Sequence, residues 1–325
     1  MNQNTRPDQP SQGNKITKPK TLKPGDRIAL IAPASPVDAD QLETAMRSVF
    51  FMGLRPVLFP SATMSHGYLS GPDHVRAADV NNAFADPDID GIFCLRGGYG
   101  VTRILNEIDF FMIRENPKLF LGYSDITGLH IALNQLSNLA TLHAPMPARG
   151  WSSLDPITLG SLTENLFSPL PVCLIPPIEG EPIETIYPGT ATGPVVGGNL
   201  SLVAATLGSP YEIDTKGKII FLEEVDEKHY KVDRNLTSLA LAGKFSDCAG
   251  IILGTWSNVE DPDLEPERNL TLCQIFSEVI RPFEKPTINN FRAGHIYPQI
   301  CIPLGATTRL DATNGTVEFL EAATN

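Results

Sequence analysis

The segment Leu119-Phe120-Leu121-Gly122-Tyr123-Ser124-Asp125-Ile126 runs an apolar strand directly into Gly-x-Ser and then into a helix. That order suits a nucleophile elbow, in which a tight turn lifts a serine hydroxyl to the carboxyl edge of a sheet. The helix that follows offers N–H groups to an oxyanion, and Asp125 falls where a helix dipole favours negative charge. Ile126 departs from the hydrolase elbow, which usually carries Gly there, and a serine that only caps a helix has the same local sequence. A second turn, Arg96-Gly97-Gly98-Tyr99-Gly100, closes the apolar run Gly91–Leu95. Its glycines would let backbone N–H groups approach a small anionic centre, although a plain turn fits as well. A dinucleotide loop fits poorly. Arg103 stands where the third glycine belongs, and the next strand ends in Ser124 rather than in a ribose-binding acid.

A nucleophilic serine needs a base, and the base needs an orienting acid. The six histidines are 66, 74, 130, 143, 229 and 295. His74 and His130 sit in helical stretches and read as surface or satisfied core residues, while His66 lies in a polar loop and His229 in an acidic turn. His143 follows an apolar run and competes with His295, which lies in the loop Arg292-Ala293-Gly294-His295 between apolar segments. For the acid, Glu223 ends the strand pattern Lys218–Leu222, with Glu224 and Asp226 close behind; such a charge run is otherwise a solvated face. The order of elements that must position these groups is clear. Strand patterns at Arg27–Pro33, Arg55–Phe59, Gly91–Leu95 and Leu119–Tyr123 alternate with helical patterns at Asp38–Phe51, His74–Ala85 and, through Ile126, Leu129 and Leu133, after Ser124. Alternation of that kind predicts a parallel sheet covered on both faces, with the active loops at the strands' carboxyl ends.

Between Ser153 and Gly193 the pattern gives way to Pro, Gly, Ser and Thr, as expected of a connection between domains. Regular patterning returns at Gly197-Gly198-Asn199 and the helical stretch Leu200–Leu207. It continues through strands Lys218–Leu222 and Gly250–Gly254, the helical face Val232, Leu236, Leu239 and Ala240, and a helix over Leu270–Ile280. Short β segments around Asn314-Gly315 end the chain. The predicted organisation is a disordered leader over 1–23, a nucleophile domain over 24–152, a linker over 153–193 and a second α/β domain over 194–325.

Composition narrows the partners. A chain of 325 residues with 42% hydrophobic and 19% charged residues suits a globular fold with a sizeable core. A net charge of −12 argues against a phosphate-backbone partner, so no nucleic acid is expected. The five cysteines stand apart, with no C-x-x-C pair and no zinc spacing, which suits a reducing compartment and no metal. The polar, Pro-rich start lacks the apolar core of a signal peptide, and no apolar stretch reaches the roughly 18–20 residues of a membrane span. A cytoplasmic protein without a membrane partner is the expectation.

From Leu22 to Leu320 the chain resembles the LD-carboxypeptidase family, serine peptidases that include the microcin C self-immunity proteins. The resemblance is carried by PGDRIALIAPASP, RGGYG, GYSD, GPVVGGNLS, FLEEVDE with YKVDR, the pair Gly294-His295, and IPLGATTRLD. It implies a Rossmann-like or flavodoxin-like parallel-sheet domain carrying Ser124, and a C-terminal α/β domain of the swivelling type carrying Glu223 and His295, with the site at the inter-domain cleft. It further implies a Ser124–His295–Glu223 triad, with Glu224 the alternative to Glu223, an oxyanion hole from the N–H groups of Gly98 and Asp125, no cofactor and a homodimer. Asp226 and the pair Glu227-Lys228 depart from the family, where Gly and Pro are frequent. The implied reaction releases the terminal D-alanine of a murein tetrapeptide. The alternatives are a peptidyl-nucleotide substrate of the microcin-immunity kind and a non-catalytic ligand-binding protein of the same fold. A carboxypeptidase must also hold a terminal carboxylate, for which Arg96, with Tyr99 beside it, is first placed, followed by Arg234 and Arg149.

Overall fold

Short apolar runs between polar breaks become the central strands of the first sheet because both faces of those strands are covered, so nearly every residue in them can be apolar. The computed structural model describes residues 15–171, 180, 182–260 and 268–325, leaving residues 1–14 of the expected leader and Cys173 outside the described residues. The first half of the chain runs through β1 (Arg27–Ile31), α1 (Ala39–Phe51), β2 (Arg55–Leu58), α2 (Asp73–Ala85), β3 (Gly91–Cys94), α3 (Val101–Ile104), α4 (Phe110–Glu115), β4 (Leu119–Gly122), α5 (Thr127–Leu136), β5 (Thr141–His143) and α6 (Pro156–Phe167). The second half has β6 (Glu184–Tyr187), β7 (Thr190–Asn199), α7 (Leu200–Ala205), β8 (Ile219–Val225), α8 (His229–Leu241), α9 (Lys244–Asp247), β9 (Gly250–Ser257), α10 (Leu272–Val279), β10 (Thr287–Asn289), β11 (Ile302–Leu304), β12 (Thr307–Asp311) and β13 (Thr316–Phe319). None of the described helices is long and apolar enough to cross a membrane.

The chain divides into two units. One contains residues 1–171, 300–305 and 322–325; the other contains 172–299 and 306–321. The sheet of the first unit has the order β11-β5-β4-β3-β1-β2, parallel throughout except for β11, which pairs antiparallel with β5. Strands 2-1-3-4-5 give the flavodoxin-like order, whose direction of winding reverses between β1 and β3. The loops after those two strands, Ala32–Ser35 and Arg96–Gly100, therefore flank the switch point where ligands bind in such sheets. Helix α5 is apolar almost all round and is buried on Leu129, His130, Ile131, Ala132, Leu133 and Leu136, as expected of a helix sunk in a core. Truncating Leu129 to Ala would cost about 2–5 kcal/mol.

The sheet of the second unit has the order β13-β12-β7-β8-β9-β10-β6. Its centre, β7-β8-β9-β10, is parallel, and β6, β12 and β13 add antiparallel edges. The alternation of strands and helices therefore gives a second α/β layer, with β7, β8 and β9 ending at one edge.

Several boundaries differ from the sequence reading. Residues 15–23, read as part of a tail, run beside the first sheet: the Thr17 N–H donates to Asn138 O, and Leu22 is buried. The stretch 153–193 holds α6, where Asp155 caps the Ile157 and Thr158 N–H groups and Pro156 starts the helix with a missing donor that costs nothing. It also holds β6 and the start of β7, so Pro and Gly density there marks helix starts and edge strands as well as connections. Strand β11 lies in the C-terminal part of the sequence yet pairs with β5 of the first unit, because an apolar Ile-Pro-Leu run can complete an open sheet edge. Cys94, Cys248 and Cys301 are buried as small apolar groups, whereas Cys273 is exposed on α10.

Candidate active site

Ser124 follows β4 with φ 67°, a left-handed backbone that a non-glycine residue seldom adopts. A strained turn of this kind, directly after a strand, is the backbone that a nucleophile elbow uses. Gly122, the glycine that opens the Gly-x-Ser turn, leaves room for Ile126: a Cβ at 122 would lie 2.7 Å from Ile126 Cγ2. Beneath the turn, His130 on α5 is fully buried between Gly122 O, 2.9 Å from Nε2, and Thr141 Oγ1, 2.9 Å from Nδ1. Burial pushes its pKa down to about 4. The neutral ring donates from Nε2 to the carbonyl and accepts the Thr141 hydroxyl at Nδ1. His143, the competing base from sequence, ends β5 fully buried, edge-on to Tyr123 at 5.7 Å.

The glycine-rich loop touches the elbow. A Cβ on Gly97 would sit 2.7 Å from Ser124 Cβ, 2.8 Å from its Oγ and 3.2 Å from Asp125 N, so only glycine lets the loop come this close. Gly98 has φ 109°, and a Cβ there would overlap Ser35 Oγ. Ser35 secures the loop from the other side: its N–H donates to Gly97 O at 3.3 Å, and its Oγ accepts from Tyr99 N at 3.2 Å. Neither bond uses the Gly98 N–H. Asp125 is buried, and its carboxylate accepts the Val101 N–H at 2.8 Å, at the start of α3 rather than of its own helix. Burial raises its pKa to about 6, against the lowering effect of that bond and of Arg76.

In the second unit Glu223 and His295 meet. His295 Nδ1 lies 2.7 Å from Glu223 Oε2, and Glu223 is fully buried near the carboxyl end of β8. Its Oε1 has no hydrogen-bond partner among the described residues. Gly294 makes the pair possible, with φ 123° and a position where a Cβ would lie 2.8 Å from both Glu223 Oε2 and Thr255 Oγ1. The register of β8 on β9 shifts between Leu222 and Glu224, and beside that irregularity the Thr255 N–H donates to Ala293 O at 3.1 Å. Ser257 Oγ donates to His295 O at 3.0 Å. Together these bonds fix the backbone that carries the imidazole. Glu224 faces elsewhere: Asn199 Nδ2, Ser201 N, Ser201 Oγ and Val225 N all donate to it, at 2.6–3.0 Å. Asp226, where this chain departs from the expected pattern, has a left-handed backbone at φ 59°.

Ser124, Gly98 and Asp125 thus lie in the first unit and Glu223 with His295 in the second. Arg96 is exposed next to Gly97, with Nη1 donating to Pro36 O at 3.2 Å. Tyr99 is exposed and edge-on to Tyr68 at 5.7 Å, Arg234 is exposed on α8, and Arg149 is exposed in a 3-10 turn. Sequence reasoning missed Ser35, Thr255 and Ser257, whose types are common and whose spacing to the motifs is long. It also missed Arg76, a helix residue with no local sign of burial.

Residues 28–144 match the family profile described as the LD-carboxypeptidase N-terminal domain, and residues 192–310 the one described as the LD-carboxypeptidase C-terminal domain. A probable murein peptide carboxypeptidase of Bacillus subtilis is 40% identical over 301 residues, covering 92% of this chain and 93% of its own. A murein tetrapeptide carboxypeptidase of Pseudomonas aeruginosa is 31% identical, covering 90% of this chain and 95% of its own. Among solved structures, an MccF-like protein from Bacillus anthracis superposes with a TM-score of 0.84 at 27% identity, covering 93% of this chain and 99% of that one.

Proposed function

The chain belongs to the LD-carboxypeptidase family, and from that premise we propose that it is a serine carboxypeptidase releasing the terminal D-alanine of murein tetrapeptides. The observation that carries the chemistry is the left-handed Ser124 at the end of β4, with Gly97 packed against its hydroxyl. In this reading Ser124 Oγ attacks the carbonyl of the amide that joins an L-centre to the D-residue, and His295 accepts the serine proton. Glu223 holds the imidazole through Nδ1 and stabilises the imidazolium, a role supported by the 2.7 Å bond and by the full engagement of Glu224 elsewhere. The N–H groups of Gly98 and Asp125 take the oxyanion. His295 then protonates the leaving amine, and water, deprotonated by the same imidazole, hydrolyses the acyl-enzyme.

Arg96, exposed beside the loop, is proposed to hold the substrate's terminal carboxylate, with Tyr99 as its neighbour and Arg234 and Arg149 behind it. A raised KM in Arg96→Lys supports that role, and an unchanged KM removes it. The substrate follows the two relatives whose names specify murein peptides. The deciding experiment is release of D-alanine from L-Ala-γ-D-Glu-meso-diaminopimelate-D-Ala by wild type and by Ser124→Ala. The expected loss in the variant is on the order of 10³-fold or more; a loss below tenfold removes Ser124 as nucleophile. Should neither protein release D-alanine, a peptidyl-nucleotide is the next substrate to try, a second reading that draws on the MccF-like fold. Cytoplasmic location and a homodimer complete the proposal; fractionation tests the first, and sedimentation at twice 35.3 kDa tests the second.

A further inference from the structure

We propose that Arg76 and Asp125 are positioning residues that grip a single peptide group, Gly100–Val101, from its two ends and so lock the glycine-rich loop to the Ser124 turn. Arg76 Nη1 donates to Gly100 O at 2.9 Å, and Asp125 Oδ2 accepts from Val101 N at 2.8 Å. The carbonyl and the N–H belong to the same planar amide. Its dipole therefore lies head to tail between a guanidinium and a carboxylate, each of which strengthens the other's bond through it.

Every component is buried. Arg76 has no exposed surface, and removing a guanidinium from water is costly unless its donors are satisfied. They are taken by three carbonyls from three loops: Pro33 after β1, Gly71 before α2, and Gly100 after β3. Asp73 adds an ion pair to Arg76 and engages Arg103 at 2.8 Å with its other oxygen. An apolar side chain could fill the same core without the desolvation cost, so a buried Arg here is better explained by the geometry it enforces than by stability. Gly100 is adapted to it, with φ 134° and a position where a Cβ would lie 2.8 Å from Arg76 Nη1. Asp125 follows Ser124 directly, so the carboxylate that holds the loop's last peptide is anchored on the elbow itself. The loop is thereby fixed at both ends: by Ser35 at Gly97 and Tyr99, and by the Arg76–Asp125 grip at Gly100–Val101. The Gly98 N–H lies between those anchors, free of the bonds that hold the loop.

The inference rests on the reading of Ser124 as nucleophile, so its test uses a readout of that serine which needs no natural substrate. The rate of Ser124 phosphonylation by a fluorophosphonate depends on the oxyanion donors as well as on the hydroxyl. Arg76→Met and Asp125→Ala are each expected to slow it by about 10- to 100-fold, the scale of one charge-assisted hydrogen bond. Release of D-alanine should show the same loss in kcat, with KM within about threefold. Asp125→Asn keeps a carbonyl acceptor for Val101 and should recover part of the rate. Because both side chains act through one peptide, the double variant should be no more than about threefold slower than the slower single. Labelling of the Asp125 variants at the wild-type rate, or losses that multiply in the double variant, would overturn the proposal. If Arg76→Met does not fold, the Asp125 pair decides the matter by itself. Failure of wild-type Ser124 to label at all sinks the nucleophile assignment and the purpose of the grip with it.

Discussion

Gly294→Ala is the smallest change that separates the Glu223–His295 pair from the rest of the fold. The added methyl would sit 2.8 Å from Glu223 Oε2, 2.8 Å from Thr255 Oγ1 and 2.9 Å from Glu223 Cβ, all closer than real Cβ contacts. Neither neighbour is free to retreat: Glu223 is fully buried, and Thr255 is tied to Ala293 O through both its N–H and its hydroxyl. The backbone adds to the cost, since φ 123° disfavours any L side chain. Strain of about 1–3 kcal/mol and overpacking of about 1–3 kcal/mol predict a stability loss of roughly 2–6 kcal/mol, read from urea or thermal unfolding. Relief comes most easily by moving the 293–295 backbone, which lengthens the 2.7 Å bond to His295 Nδ1. Losing a hydrogen bond to a charged group is worth about 1.5–3 kcal/mol, so kcat for D-alanine release should fall by about 10- to 100-fold with KM nearly constant. The assay compares steady-state kinetics with the folded fraction determined at the same temperature. A Gly294→Ala protein that is fully folded and within threefold of wild type in kcat would refute the argument.

Four other substitutions probe separate contacts. Glu224→Gln removes an acceptor from the Asn199–Ser201–Val225 network and should cost about 1–3 kcal/mol in unfolding free energy while sparing kcat. Glu223→Gln should do the reverse, lowering kcat by about 10²- to 10⁴-fold at near-native stability; the opposite pattern would reassign the acid. For His130, a folded pKa of about 4 lies below the unfolded value of 6.5, so its stabilising contribution is present above pH 6.5 and is lost as pH falls toward 4. Unfolding free energy of wild type should therefore drop by up to about 3 kcal/mol more than that of His130→Gln across this window, and parallel profiles would exclude the effect. Gly97→Ala places a methyl 2.8 Å from Ser124 Oγ and should slow fluorophosphonate labelling at least tenfold in a folded protein, whereas an unchanged rate would show that the loop can yield.

What the sequence made legible and what it concealed separate by the range of the interaction. The parallel sheet of the first unit was readable because β1, β3 and β4 are buried almost throughout and so are written as continuous apolar runs. The elbow was readable because strand, turn and helix are contiguous at Leu119–Thr127. Strand β11 was not: a three-residue run carries no period, and its partner β5 lies about 160 residues earlier in the chain. Glu223 and Glu224 were indistinguishable in sequence for a related reason. Both are buried, contrary to the expectation that a charge run is a solvated face, and only their partners tell them apart.

The glycines carried more information than their turn-forming freedom suggests. Gly97, Gly100, Gly122 and Gly294 each stand where a Cβ would meet a side chain of the candidate machinery or of its supports: Ser124, Arg76, Ile126 and Glu223. A glycine in a motif can thus be a record of a neighbour that comes too close for a methyl group, and the neighbour is set by topology, not by spacing. Arg76 is the clearest instance. In α2 it carries no local sign of burial; Gly71 is a near neighbour in sequence, but only the 2-1-3 strand order brings Pro33 and Gly100 to its guanidinium. The same reasoning accounts for Ser35, which is 62 residues from Gly97 in sequence and hydrogen-bonded to it in the fold because β1 and β3 are neighbours. Residues that could do chemistry announced themselves by type, while the residues that hold them still became visible only once the strands were laid side by side.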